Sequence, residues 1–160
     1  MKISYAVIYW DINTEKFLVV HPTHEEFWSM PKGRMEDGDM GDGAKAAARE
    51  MLEETDVTVD YQKLTEAGRF EYYRKGRNGA KIDKDLVVYL YKTTTPVDTK
   101  DMICKSLVQN HLRPGEAPFP ENDGFKYIGA DEIDGNFNPD GARVVKQALT
   151  ALGESVNRIL

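Results

Sequence analysis

The order of elements along this chain predicts a mixed α/β (α+β) fold, one sheet with a helix on each side. Three observations predict it. β-branched and aromatic runs recur on both sides of an Ala-rich amphipathic stretch, and a second amphipathic stretch follows the last of those runs. No repeat, linker or low-complexity segment divides the 160 residues, so positions 1–160 read as one domain, long enough to bury a core without staples.

Residues 3–10 (ISYAVIYW) are the first strand. The turn Asp11-Ile12-Asn13-Thr14 leads to a second at 16–20 (KFLVV). Residues 21–29 are a polar connection with Pro22. In it Trp28 either anchors the core or borders a base-binding cleft. A short strand is expected at 58–61. RFEYY (69–73) and DLVVYLY (85–91) flank RKGRNGAKIDK, where Gly76, Asn78 and Gly79 mark a hairpin-like loop. Residues 93–121 are weakly patterned, with Pro96, Pro114, Pro118 and Pro120; a short helical piece near 102–111 is the alternative to an extended loop. FKYI (125–128) is the last strand. Asn138-Pro139-Asp140 starts a helix whose apolar face is Val144, Val145, Ala148, Leu149 and Leu152.

The most informative stretch is 31–57, PKGRMEDGDMGDGAKAAAREMLEETDV. Asp42 is suited to cap a helix that begins in the alanines and ends at Asp56. Ala47, Ala48, Met51, Leu52 and Thr55 provide its packing face. Glu50, Glu53 and Glu54 fall within one turn of each other, which costs roughly 0.2–0.5 kcal/mol per like-charged pair. Just before the helix, Gly33 stands in a Gly-rich, acid-rich loop. Loop oxygens and clustered helix carboxylates suit Mg²⁺, a hard ion that prefers oxygen and keeps substrate phosphates in its shell.

These residues resemble the signature of the Nudix hydrolases: Gly, five residues, Glu, seven residues, then Arg-Glu-U-x-Glu-Glu-x-Gly-U, with U bulky and aliphatic. Here Gly33 is followed by Asp39 and, after nine residues, by Arg49-Glu50-Met51-Leu52-Glu53-Glu54-Thr55-Asp56-Val57. Asp39 and Asp56 replace a Glu and a Gly, and two residues are added around Gly41-Asp42-Gly43. The resemblance implies an αβα sandwich and hydrolysis of a phosphoanhydride. Glu50, Glu53 and Glu54, with the Gly33 carbonyl, would hold Mg²⁺ (or Mn²⁺), and Arg49 would fix a glutamate rotamer. A further carboxylate before the last strand, Glu121 in preference to Glu116 or Asp123, would act as ligand or base. With these glutamates on an exposed helix face, Glu54→Gln should lower turnover by orders of magnitude and leave the fold intact.

The substrate is expected to be a small polyphosphate. The segment 28–33 resembles the approach to the motif in diadenosine polyphosphate hydrolases and RNA 5′-pyrophosphohydrolases. Lys32, Arg34 and the basic hairpin (Arg69, Arg74, Lys75, Arg77, Lys81, Lys84) would grip phosphates, and Trp28, Tyr72 and Tyr73 are stacking candidates. A dinucleoside polyphosphate is preferred; a triphosphorylated or capped RNA 5′ end and a diphosphoinositol polyphosphate are the alternatives within the same chemistry. A Nudix-like module that binds a nucleotide without cleaving it is the alternative outside it, and retention of all three glutamates argues against it.

Composition sets the frame. With 21 Lys+Arg against 27 Asp+Glu and a net charge of −6, broad nonspecific nucleic-acid binding is disfavoured. One cysteine, Cys104, excludes an internal disulfide framework. The N-terminal apolar run is too short for a signal-peptide core, and no stretch reaches transmembrane length. A soluble, cytoplasmic protein is expected. The histidines His21, His24 and His111 lack metal-ligand spacing and are read as bystanders.

Overall fold

The structure, a computed structural model, describes residues 2–75 and 81–153, with side chains at 2–72 and 84–153. Strand β1 (Lys2–Asp11) is the spine of the sheet. It turns into β2 (Lys16–Pro22) where the Asp11 carboxylate accepts from Asn13 N and Thr14 Oγ1, the local bond that makes Asx residues turn formers. The chain then forms β3 (Lys32–Arg34), helix α1 (Gly43–Thr55), β4 (Thr65–Lys75) and β5 (Lys81–Thr93). After a long connection carrying β6 (Leu107–Val108) and β7 (Phe119–Pro120) come β8 (Asn122–Gly129), the one-turn α2 (Ile133–Asn136) and α3 (Pro139–Leu152).

The sheet order is β4-β5-β1-β2-β8, with β3 also paired to β1. β1 and β5 run parallel, from Lys2 opposite Lys84 to Asp11 opposite Thr93, and the other pairings are antiparallel, so the sheet is mixed as expected. Alternate residues feed two cores. Ala6, Ile8, Phe17 and Val19 pack under α3, and Val7, Tyr9 and Leu18 pack under α1. Burial on both faces is why β1 reads as one continuous apolar run rather than an alternating one.

Asp42 caps α1 as expected, accepting from Ala44 N at 2.9 Å, and Asp56 leaves the helix at φ 64°. Ala47, Met51 and Thr55 are buried in its packing face as expected, but Ala46 joins them, Ala48 is half-buried and Leu52 is exposed. The strand expected at 58–61 is instead an extended run entering a 3-10 turn at Tyr61–Lys63, capped by Asp60. The helical alternative near 102–111 does not form. Ile103 N and Lys105 N donate to Thr55 O and Glu53 O, so an extended chain satisfies carbonyls left unpaired at the end of α1. No helix among the described residues is long and apolar enough to cross a membrane.

Candidate active site

Helix α1 lies across β1 and β3, between its Asp42 cap and its αL exit at Asp56. Glu50 and Glu54 point inward with Met51, only 8% and 4% exposed. The expectation of an exposed glutamate face therefore holds only for Glu53; the other two are buried because the helix lies flat over Gly33. An alanine Cβ at position 33 would overlap the Glu50 carboxyl, so glycine is what lets helix and strand approach this closely. Both glutamates line an open cleft of about 480 Å³ between the tip of β2, β3, the start of β5 and the connection before β8.

Arg49 organises the acids on the outer side. Its Nη1 lies 2.8 Å from Glu36 Oε2, 2.9 Å from Glu50 Oε1 and 3.0 Å from Glu53 Oε2. Oxygens of these three glutamates converge as metal ligands would, but the guanidinium already sits among them as their cation. Asp39 grips the other edge, with Nε 3.0 Å from Oδ1 and Nη2 3.0 Å from Oδ2, and Nη2 also donates to Arg34 O. Burial alone would lower the pKa of Arg49, yet its bonds to Asp39 and Glu50 hold it above the ordinary value. The bonds from Arg49 hold Asp39 below its own.

The two additional loop residues are absorbed beside Asp39. It ends a 3-10 turn at Asp37–Asp39, Met40 and Gly41 take positive φ, and Asp42 N donates back to Asp39 O. The shorter acid thus reaches Arg49 from a tighter turn.

On the cleft side the balance differs. Burial pushes the carboxyls of both Glu50 and Glu54 up, and the neighbouring charge of Glu50 adds to the rise at Glu54. Glu54 Oε1 accepts from Asn122 Nδ2 at 2.9 Å. A cation between two such carboxyls would offset both the burial and the repulsion. Glu121 lines the same cleft, its backbone pinned by Ser106 O and Thr23 N. Glu116 lies instead beside His24 and Arg113, and Asp123 pairs with His21. Glu50, Glu54, Glu121 and Gly33 line this cleft together, and carboxylate and carbonyl oxygens are the donors that Mg²⁺ or Mn²⁺ takes.

Lys32, Arg34 and Lys84 line one rim of the cleft. Trp28 is not among its lining residues. It packs against the α3-side core with Lys126 Nζ 4.2 Å over its ring and His21 edge-on at 5.0 Å. Tyr72 also packs against that core, and Arg69 pairs with Asp85. The side chains of Tyr73, Arg74, Lys75 and Lys81, and Arg77 altogether, lie outside the described ones.

The NUDIX domain family model matches residues 2–147. The chain belongs to the Nudix family. No curated protein matches it significantly in sequence. Among solved structures it is similar to the NUDIX domain of Shewanella oneidensis NrtR complexed with ADP ribose (12% identity, 95% of this chain and 88% of that one, TM-score 0.67). A C. elegans Ap4A hydrolase binary complex gives 16% identity, 95% and 98% coverage and TM-score 0.64. The E. coli dihydroneopterin triphosphate pyrophosphohydrolase gives 16%, 91% and 92%, and 0.63. At these identities the likeness is one of fold. Family membership, with the motif glutamates in place, makes the chain a Nudix pyrophosphohydrolase of nucleoside diphosphate derivatives.

Two partners of the Nudix residues and one further lining residue escaped the sequence reading. Glu36 stood in the acid-rich loop and could have been found as a further partner of Arg49. Asn122 gave no signal, since only the register break where Pro22 faces Asn122 turns it toward Glu54. Phe119 reaches the cleft through the short β6–β7 ladder, which proline-rich sequence did not announce.

Proposed function

We propose that this Nudix chain hydrolyses a dinucleoside polyphosphate in a Mg²⁺-dependent reaction in the cytoplasm. One observation carries the reading: the buried acids Glu50 and Glu54, the half-buried Glu121 and the cations Lys32, Arg34 and Lys84 line one cleft. A divalent ion held by those oxygens would supply Lewis-acid activation of a phosphoryl oxygen. Lys32, Arg34 and Lys84 would hold the remaining phosphate charge, and Arg49, saturated by its own acids, would keep Glu50 and Glu53 in place. Glu121 is suited to accept the proton of an attacking water, being half-buried in the cleft on a pinned backbone. The likeness to an Ap4A hydrolase and to a NUDIX domain solved with ADP ribose supports a two-part, phosphate-linked substrate.

The test is a Mg²⁺-dependent hydrolysis panel of diadenosine tri- to hexaphosphates, ADP-ribose, NTPs, triphosphorylated RNA and diphosphoinositol polyphosphates, with products resolved by chromatography. The diadenosine compounds should be cleaved well above the rest. Preference for RNA or for the inositol compounds would replace the substrate, and silence in both Mg²⁺ and Mn²⁺ would replace the enzyme with a binding module.

A further inference from the structure

The cleft is polar in one direction, and this fixes how a substrate lies in it. Its β3/β5 rim carries Lys32, Arg34 and Lys84. The opposite rim is built from the tip of β2 and the β6–β7 ladder, and among the described residues that line it none is basic: Val20, Thr23, Glu25, Val108 and Phe119 stand there. A polyanion is drawn to the first rim and repelled by Glu25 on the second.

The second rim is a built surface. Val108 pairs with Phe119 across the ladder. Thr23 N donates to Glu121 O and Thr23 Oγ1 to Pro120 O, fastening the ladder to the β2 tip. His24, at φ 70°, meets the Phe119 ring edge-on with centroids 4.7 Å apart, and its Nε2 lies 3.7 Å from Glu116 Oε2. A half-buried aromatic ring is thus held at the margin of a polar cleft by a side chain from a different loop.

We propose that Phe119, oriented by His24, is the platform on which a planar base of the substrate stacks, while its phosphates run toward Lys84. The inference rests on the hydrolase reading for its polyphosphate, but not on catalysis. A rim that offers an aromatic ring and an acid suits a nucleobase and not a polyphosphorylated polyol, whose charges would all seek the other rim. It also gives the aromatic role to Phe119 rather than to Trp28, whose ring is already covered.

The experiment is titration calorimetry in Mg²⁺-free, EDTA-containing buffer with two probes, diadenosine tetraphosphate and inorganic tripolyphosphate. Phe119→Ala should weaken the diadenosine compound about tenfold, the scale of one lost base stack, and leave tripolyphosphate within about twofold. Phe119→Leu, which keeps apolar bulk and the fold, should lose most of the same affinity; Lys84→Met should weaken both probes. Equal losses for both probes in the Phe119 variants, or no loss for either, overturns the proposal. Failure of the hydrolase reading would show differently, as intact binding with no cleavage once Mg²⁺ is restored.

Discussion

Asp39 and Arg49 are joined by a two-pronged ion pair, Nε to Oδ1 and Nη2 to Oδ2 at 3.0 Å each, with Asp39 only 3% exposed. A planar guanidinium and a carboxylate match in this geometry, and the pair sets the plane in which Nη1 meets the three glutamates. Replacing Asp39 leaves Arg49 its three glutamates but breaks the two-pronged, charge-assisted contact. Asp39→Asn should therefore destabilise by about 1–3 kcal/mol in urea unfolding and lower kcat by about tenfold as the glutamate rotamers loosen.

The same pair has a pH signature. Arg49 holds Asp39 below its ordinary value, so the stabilisation is complete above the unfolded pKa and is lost as pH falls through the folded one. The stability gap between wild type and Asp39→Asn should be constant at neutral pH and should close below about pH 4, the range of an unperturbed aspartate. A gap that closes near neutrality would contradict the assignment.

Glu54 carries the opposite sign. Burial pushes its carboxyl up, so at neutral pH its charge costs stability. Glu54→Gln keeps an oxygen for Asn122 and removes the charge. In EDTA the variant should be more stable than wild type by about 0.5–2 kcal/mol, while turnover in Mg²⁺ drops by about two orders of magnitude or more. Thermal unfolding beside a rate assay checks both halves.

Gly33→Ala should force the Glu50 carboxyl away from β3. Overpacking of this kind costs about 1–3 kcal/mol, and the Mg²⁺ concentration for half-maximal rate should rise with it. A metal titration of the rate, beside a melting curve, separates the two effects.

Asn122→Leu removes the hydrogen bond to Glu54 at nearly constant volume. Loss of such an orienting partner weakens metal affinity by about 10–100-fold. Counting free Mn²⁺ by electron paramagnetic resonance should show that loss without a large change in melting temperature.

Much of the fold was legible because its signals are local. The apolar runs of β1 and β2, the Asp42 cap, the Asp56 exit and the Asn138 cap all act within a few residues. Of the candidate site, the contiguous cluster of Arg49, Glu50, Glu53 and Glu54 was legible, because one helix carries all four. What stayed hidden depends on register and packing. β3 is three residues long and exists only through its pairing with β1. The inward turn of Glu50 and the outward turn of Leu52 follow from how α1 is rolled on the sheet. The β6–β7 ladder lies in a segment whose prolines argue for loop, and only its anchoring to Thr23 makes it a wall.

The parallel ladder between β1 and β5 also bears on how the chain acquires its shape. Lys2 must find Lys84 and Asp11 must find Thr93, with β3 and α1 enclosed in the intervening loop. Contacts this distant in sequence slow folding, because chain entropy is lost before the pairing rewards it. During synthesis ISYAVIYW leaves the ribosome long before its partner exists, as an apolar strand with an open edge. The hairpin of β4 and β5 can form locally, so β1 is the piece that waits, and chaperone demand should concentrate on those first residues.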